Sequence, residues 1–122
     1  MLISIVYAFR NRDSNRVKAS LFSLSEQSQQ NFEVLFLDYG SEESYSLSVK
    51  EVVEQFPFTS YHYIAHQGLL WNKSKALNYG IKQAKGEYVF IADVDIVFHP
   101  DTTKMFELIC KPDIEYLFQH HS

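Results

Sequence analysis

The chain has 122 residues and a formal net charge of −4, and 46% of its residues are hydrophobic, 21% charged and 16% aromatic. This length corresponds to one domain, the composition favours a folded core over disorder, and the acidic balance argues against nucleic acid as a partner. Cys110 is the single cysteine, which excludes an intrachain disulfide and favours a reducing compartment. No apolar run is long enough to span a bilayer. We therefore expect a cytoplasmic protein, or a cytoplasmic domain attached to a membrane through parts outside this chain.

The first half of the chain alternates between strand-like and helix-like segments. Apolar, β-branched runs predict buried strands at 2–7 and 32–38, and the first of these does not have the pattern of a signal peptide. Apolar residues at helical spacing predict helices at 15–30 and 43–56. The expected caps are Ser14 or Asn15 for the first helix and Ser41 with Ser44 for the second. The residues expected to face the core from these helices are Val17, Leu21, Leu24, Leu47, Val49, Val52, Val53 and Phe56.

The second half continues the alternation. It predicts strands at 59–65 and 87–93 and helices at 71–84 and 101–111, and residues 114–118 could form a fifth strand. The third helix offers Trp71, Ala76, Leu77 and Ile81 for packing. Strands that alternate with helices and are apolar throughout belong to parallel sheets covered on both faces. We therefore predict an α/β fold with a doubly wound, mainly parallel, Rossmann-like sheet.

Polar residues follow three of the predicted strands. The first strand leads through Tyr7 and Ala8 to Arg10, the second ends at Asp38 and the fourth ends at Asp93. In a doubly wound sheet, ligands bind outside the carboxyl ends of the strands, where the strand order reverses. These three segments are therefore predicted to meet in one crevice.

The stretch "GEYVFIADVDIVFHP" (86–100) ends a hydrophobic strand with two carboxylates, Asp93 and Asp95. A buried strand does not need them. Mg²⁺ and Mn²⁺ favour oxygen ligands and are often shared between one or two carboxylates and substrate phosphates. The structural alternative is that these residues form a strand-end turn or cap a helix, and short acidic motifs also arise by chance.

Other charged residues have two interpretations each. Asp38 either opens the turn "DYGSEES" or accepts a hydrogen bond from a ligand. Lys75, near the start of the third helix, either helps to bind an anion there or is a solvated surface lysine. Arg10 and Arg12, which flank the first strand, have the same two interpretations.

Three segments together resemble the nucleotide-sugar-binding half of the family 2 glycosyltransferases, which have the GT-A fold. They are "YAFRNR", "SLFSLSEQSQQNFEVLFLDYGSEES" and "NKSKALNYGIKQAKGEYVFIADVDIVFHPD". The resemblance covers about residues 2–103 and depends on the order and spacing of the segments. It departs from the family pattern at Tyr39, where a second Asp is usual, and at Leu77, where an Arg is usual.

The resemblance implies a binding site for a nucleoside-diphosphate sugar. It places Asp38 at the nucleobase, and Asp93 near the ribose or the metal. It implies that Asp95 coordinates Mn²⁺ or Mg²⁺ bound to the diphosphate. The remaining residues that it places near the nucleotide are Tyr7, Ala8, Arg10, Lys75 and Asn78.

The implied activity is inverting, metal-dependent glycosyl transfer in polysaccharide or glycoconjugate synthesis. The donor expected from the family is a UDP-sugar, and the acceptor a glycan or glycoconjugate. The acceptor half of the family should follow the Asp-x-Asp strand. We therefore interpret residues 1–122 as one nucleotide-sugar-binding domain without that half, whose exposed face would favour self-association.

Two other functions fit parts of the sequence. The same pocket without an acceptor half would be a nucleotide-binding module without turnover. The segment "DVDIV" is also similar to the nucleophile loop of haloacid-dehalogenase-type phosphatases. That loop normally follows the first strand of its domain, whereas three predicted strands precede it here.

Overall fold

The computed structural model describes residues 2–65 and 73–109, and it contains four strands and four helices in strict alternation. They are β1 (Ile3–Phe9), α1 (Ser14–Ser25), β2 (Phe32–Tyr39), α2 (Glu43–Val53), β3 (Thr59–Ile64), α3 (Lys73–Gln83), β4 (Tyr88–Ala92) and α4 (Thr102–Ile109). All eight elements lie where the sequence predicts them. The candidate strand at 114–118 and the candidate core residue Trp71 lie outside the described residues. None of the described helices is long and apolar enough to cross a membrane.

The four strands form one parallel sheet in the order β3-β2-β1-β4. β1 pairs with β2 from Ile3↔Phe32 to Phe9↔Asp38, and with β4 from Ile3↔Tyr88 to Tyr7↔Ala92. The chain therefore leaves β1 toward one edge of the sheet and returns to its other side with β4. This reversal confirms the doubly wound topology and opens a crevice between the carboxyl ends of β1 and β4.

Each face of the sheet carries its own core. Ile5 and Tyr7 of β1 lie in a cluster with α1 and α2, whereas Val6 lies in a cluster on the opposite face with Ala76 of α3. This alternation follows from the two-residue period of a strand. It also explains why β1 is apolar along almost its whole length.

The helices meet the sheet through some of the predicted residues but not all. Val17, Leu21 and Leu24 of α1 are fully buried, as predicted. Leu47 is 62% exposed and Ile81 is 44% exposed, so their prediction as core residues was wrong. The i, i+4 pair Val49 and Val53 faces the sheet from α2, and the pair Ala76 and Gly80 faces it from α3. Leu47 and Ile81 therefore lie off those contact faces.

The helix ends also differ from the predicted ones. Asp13, not Ser14 or Asn15, caps α1, because its carboxylate accepts a hydrogen bond from the backbone N–H of Asn15 at 2.9 Å. α1 ends at Ser25 and not at residue 30, and Gln30 folds back to donate to the carbonyl of Gln27 at 2.8 Å.

The cap of the second helix was also predicted wrongly. The N-cap of α2 is Glu42, without a side-chain capping bond, in place of Ser41 or Ser44. The hydroxyl of Ser41 is used elsewhere, because it accepts a hydrogen bond from the backbone N–H of Asn11 at 3.0 Å.

Gly86, in the segment "AKGEY" that leads into β4, packs directly against the backbone of β1. Its N–H donates to Ser4 Oγ at 2.8 Å, and Ser4 in turn donates to Glu33 at 2.5 Å. A Cβ at residue 86 would lie 2.7 Å from the backbone nitrogen of Ser4 and 2.9 Å from the carbonyl oxygen of Leu2. Only a residue without a side chain lets β4 enter the sheet beside β1 at this point.

We expect Gly86→Ala to lower the free energy of unfolding by about 1–3 kcal/mol, since the new methyl group must displace backbone atoms. Urea unfolding at neutral pH measures this change. Lys85→Ala, at the exposed neighbouring residue, is the control and should stay within about 0.5 kcal/mol of the wild type. Equal stability of the Gly86→Ala variant and this control would contradict the close approach.

Candidate functional site

Charged side chains meet at the crevice between β1 and β4. Arg12, in the loop after β1, donates from Nη2 to Oδ2 of Asp95 at 2.5 Å. Arg16, in the first turns of α1, reaches Oδ1 of the same carboxylate with Nη1 at 3.4 Å. Asp93 accepts a hydrogen bond from the backbone N–H of Asp95 at 3.1 Å, which closes a turn at the end of β4. Two carboxylates and two guanidinium groups therefore lie where the topology predicts a ligand.

The electrostatics of this group lower the pKa of Asp95. The hydrogen bond from Arg12 is the largest cause that lowers the pKa of the Asp95 carboxyl below its ordinary value, and Arg16 adds to it. Both aspartates are exposed, with 37% of the Asp95 side chain open to solvent. Asp95 is therefore a charged and accessible oxygen donor at neutral pH.

The two carboxylates suit a hard divalent cation only in part. Within residues 2–65 and 73–109, no group of three or more His, Cys, Asp or Glu side chains could hold a metal ion. Mg²⁺ and Mn²⁺ accept such a small protein contribution where substrate phosphates and water complete the shell. The donor set thus fits a cation shared with a phosphate ligand rather than a metal held by protein alone.

The segment that follows Asp95 is fastened to the end of α1. Gln27 is buried; its Nε2 donates to the carbonyl of His99 at 2.7 Å, and its Oε1 accepts from the N–H of Thr103 at 3.0 Å. Ser23 Oγ accepts from the N–H of Phe98 at 2.8 Å. These bonds give a structural role to Ser23, in the last turn of α1, and to Gln27, just after it, because they hold the chain that follows the aspartates.

Asp38 lies at the end of β2, beside Phe9 of β1, and is completely buried. Its Oδ1 accepts from the N–H of Ser41 at 3.1 Å, and its Oδ2 accepts from the hydroxyls of Ser46 at 2.7 Å and Tyr61 at 2.5 Å. This is the turn interpretation of Asp38, in which the carboxylate joins β2, α2 and β3. A nucleobase contact, which stays a prediction, would be made in addition to these three bonds.

The other residues predicted at the nucleotide lie along the same edge. Tyr7 is completely buried between two neighbouring strands, and its hydroxyl shares a 2.7 Å hydrogen bond with Ser20. Ala8 and Arg10 are half-buried at the end of β1. Their contact with a ligand remains a prediction.

Lys75 and Asn78 lie in the first turns of α3, and both are exposed. α3 follows β3, so these turns begin at the carboxyl edge of the sheet. The structure thus brings Asp93, Asp95 and Arg12 into one cluster, and places Asp38, Lys75 and Asn78 on neighbouring elements of that edge.

Sequence reasoning missed two residues that shape the site. Arg16 was not considered, since nothing in its local pattern marks it as a partner of a carboxylate 79 residues away. Asn11 was also missed. It adopts a φ of 47°, and its side-chain oxygen accepts from the N–H of Glu42 at 2.8 Å. A polar Asn in "RNRD" was the available signal, because Asn tolerates this backbone conformation better than most residues.

We expect Tyr61→Phe to lower the free energy of unfolding by about 1–3 kcal/mol at pH 7, because the buried Asp38 carboxylate loses a donor. Burial, and then the nearby Asp38, raises the pKa of Tyr61. A raised pKa stabilises the folded state fully below the ordinary value of about 10, and this contribution is lost as the pH rises above it. Urea unfolding between pH 7 and 11 should therefore show a shallower decline above pH 10 for Tyr61→Phe than for the wild type.

Tyr45→Phe is the matched control, because Tyr45 is 40% exposed on α2. It should leave the stability at pH 7 close to that of the wild type. An equal effect of the two substitutions would contradict the role of Tyr61 at Asp38.

Comparison with known proteins places this arrangement in a family. The sequence pattern of glycosyl transferase family 2 matches residues 4–119. An uncharacterized glycosyltransferase of Haemophilus influenzae is 31% identical over 122 residues, a match that covers 96% of this chain and 38% of that protein.

Solved structures share the fold. The mannosyltransferase PcManGT from Pyrobaculum calidifontis, solved in complex with GDP-Man and Mn²⁺, superimposes with a TM-score of 0.75 at 22% identity. TarS of S. aureus gives a TM-score of 0.73 at 24% identity, and it has also been solved with UDP-GlcNAc. Each match covers 90% of this chain and 32% of the other, so the chain spans about a third of the length of these proteins. The family pattern, which extends over nearly the whole sequence, shows that this chain belongs to glycosyl transferase family 2.

Proposed function

We propose that the protein binds a nucleoside-diphosphate sugar at the carboxyl edge of its sheet, through a divalent cation held by Asp93 and Asp95. The observation that carries this proposal is the pair of exposed carboxylates at the strand-order reversal, with Asp95 held by a hydrogen bond from Arg12. Related folds solved with GDP-Man and Mn²⁺, and with UDP-GlcNAc, support it. A UDP- or GDP-sugar is accordingly the donor class to test first.

In this proposal, the two aspartates bind the cation and the cation binds the diphosphate. Asp93 and Asp95 would present oxygens to Mn²⁺ or Mg²⁺, a cation that neutralises negative charge on a departing diphosphate. The turn closed by Asp93 on the N–H of Asp95 fixes the backbone that carries both carboxylates before any ligand arrives. Such preorganised charge favours the transition state because little reorganisation is needed during the reaction.

The reaction class that we propose is inverting glycosyl transfer. In it, an oxygen of a glycan or glycoconjugate acceptor attacks the anomeric carbon while the bond to the diphosphate breaks on the opposite side. We assign no residue of this chain as the base that takes the acceptor proton. Turnover of a sugar donor with an acceptor would distinguish this function from nucleotide binding alone. The phosphatase interpretation of "DVDIV" is not retained, because the segment follows β4 and the chain belongs to the glycosyltransferase family.

Isothermal calorimetry with UDP and with GDP, with and without Mn²⁺, tests the donor site. We expect binding that requires Mn²⁺ and weakens at least about tenfold in Asp95→Ala, because the cation loses a charged ligand. Glu54→Gln, an exposed carboxylate change at the far end of α2, should bind as the wild type does.

Two results would contradict the proposal in different ways. If the nucleotide binds equally well without Mn²⁺, or to Asp95→Ala, then its binding does not depend on a cation held by Asp95. If folded protein, shown by a cooperative unfolding curve, binds neither UDP, GDP nor any other nucleoside diphosphate, the proposal of a nucleotide-sugar donor is wrong.

A further inference from the structure

Arg12 holds the carboxylate that the proposed cation needs. Its Nη2 lies 2.5 Å from Oδ2 of Asp95, and Nη1 of Arg16 lies 3.4 Å from Oδ1, so both oxygens face a guanidinium group. A divalent cation and a guanidinium group repel one another, so each weakens the binding of the other to the same carboxylate. We infer that Arg12 and the divalent cation compete for Asp95, and that the cation binds as Arg12 leaves and turns toward the anionic ligand. This inference rests on the proposed function, because it concerns the same cation and diphosphate.

The backbone around Arg12 is fixed, so the exchange needs only a side-chain movement. On one side, Asn11 is tied to the β2–α2 turn by its N–H on Ser41 Oγ at 3.0 Å and by its side chain on the N–H of Glu42 at 2.8 Å. On the other side, Asp13 caps α1. The Arg12 side chain between these anchors is 45% exposed. Exposed side chains change rotamer within nanoseconds, which makes such an exchange fast.

A cleft next to Arg12 could accept its side chain after it leaves Asp95. Arg12 lines an open cleft of about 390 Å³ between the β1–α1 loop and the first turns of α2, where Ser44, Tyr45 and Ser48 form the opposite wall. A guanidinium group displaced from Asp95 can therefore remain beside the carboxyl edge of the sheet. Its planar fork of donors matches phosphate oxygens, so a diphosphate held by the cation is a suitable new partner.

Arg16 provides an internal comparison. Its contact with Asp95 is longer by 0.9 Å than that of Arg12 (3.4 Å against 2.5 Å), and its side chain is 67% exposed. Solvent screens such a contact more strongly. Arg16 should therefore compete with the cation less than Arg12 does.

The first test measures Mn²⁺ binding alone, by the electron paramagnetic resonance signal of free Mn²⁺ at low ionic strength. Removing the competitor should tighten binding, so Arg12→Gln should lower the Kd for Mn²⁺ about two- to fivefold, which is the range expected from an exposed ion pair. Arg16→Gln should have a smaller effect. Lys18→Gln, which removes the same charge from an exposed residue of α1, is the control and should change the Kd less than about twofold.

The second test follows Arg12 directly. In a titration with Mg²⁺, the side-chain Nε–H resonance of Arg12 should shift with the same midpoint as the backbone amide of Asp95. With Mn²⁺ saturating, Arg12→Gln should bind UDP or GDP more weakly than Lys18→Gln does. Loss of the guanidinium would thus strengthen cation binding and weaken nucleotide binding.

Several outcomes would overturn the inference. One is an Mn²⁺ affinity of Arg12→Gln that equals that of Lys18→Gln, and another is an Arg12 resonance that stays in place while the Asp95 amide shifts. Absence of cation binding in both the wild type and Arg12→Gln would overturn it as well. Exchange at Asp95 without nucleotide binding would instead refute the donor function alone. If Arg12→Gln leaves nucleotide binding unaffected, Arg12 does not bind the diphosphate, and only that part of the inference is refuted.

Discussion

The rest of the structure depends on the central strand β1, which is hydrogen-bonded on both edges and covered on both faces. Its pairing with β2 and β4 sets the strand order, and the reversal of order at β1 creates the crevice at its carboxyl end. Burial on both faces means that any polar group on β1 must find a partner inside the protein, since an unpaired buried hydroxyl is costly. Ser4 finds Glu33 and Gly86, and Tyr7 finds Ser20. Ser20, a buried polar residue on the apolar face of α1, is therefore the partner that the buried hydroxyl of Tyr7 requires.

The carboxyl edge combines a fixed frame with two movable side chains. Hydrogen bonds of Asn11, Gln27 and Asp38 tie the loops that follow β1, β2 and β4 to neighbouring elements. Each of these bonds joins a side chain to a backbone group, so it fixes the backbone of the loop at that point. The arginines that extend from this frame have few such restraints, since 45% and 67% of their side chains are exposed. Binding energy need not be used to order the loops, which favours tight binding of a ligand that needs only a rotamer change.

The order of the elements could be predicted from the sequence because hydrophobic period and length are local properties. The helix faces were harder to predict. Leu47 and Val49 are both apolar, and only the packing of α2 on the sheet decides that Val49 is buried. The cap of α1 was ambiguous for a similar reason, because Asp13, Ser14 and Asn15 are all good capping residues.

The position of the site in the fold could be predicted from the sequence, but the contacts within the site could not. Parallel strands bring their carboxyl ends together, so Asp38, Asp93 and Arg10 were expected at one edge. The pairing of Arg12 with Asp95 joins residues 83 positions apart, and the engagement of Asp38 by Tyr61 depends on the register of β3 with β2. Neither follows from any short segment of the chain.

Charge balance connects the frame to the proposed exchange. The site brings together two aspartates, Asp93 and Asp95, and two arginines, Arg12 and Arg16, and both guanidinium groups lie against Asp95. Without a ligand, the site is therefore close to neutral and needs no counterion from solvent. A cation and a diphosphate arrive with charges that oppose each other, so the carboxylates can turn to the cation while the guanidinium groups turn to the phosphates. The carboxylate of Asp95 exchanges one partner of opposite sign for another, so its charge is paired both before and after the ligand binds. In the proposed exchange, the ion pair with Arg12 is part of the binding mechanism, because it holds the Asp95 carboxylate in place until the cation replaces it.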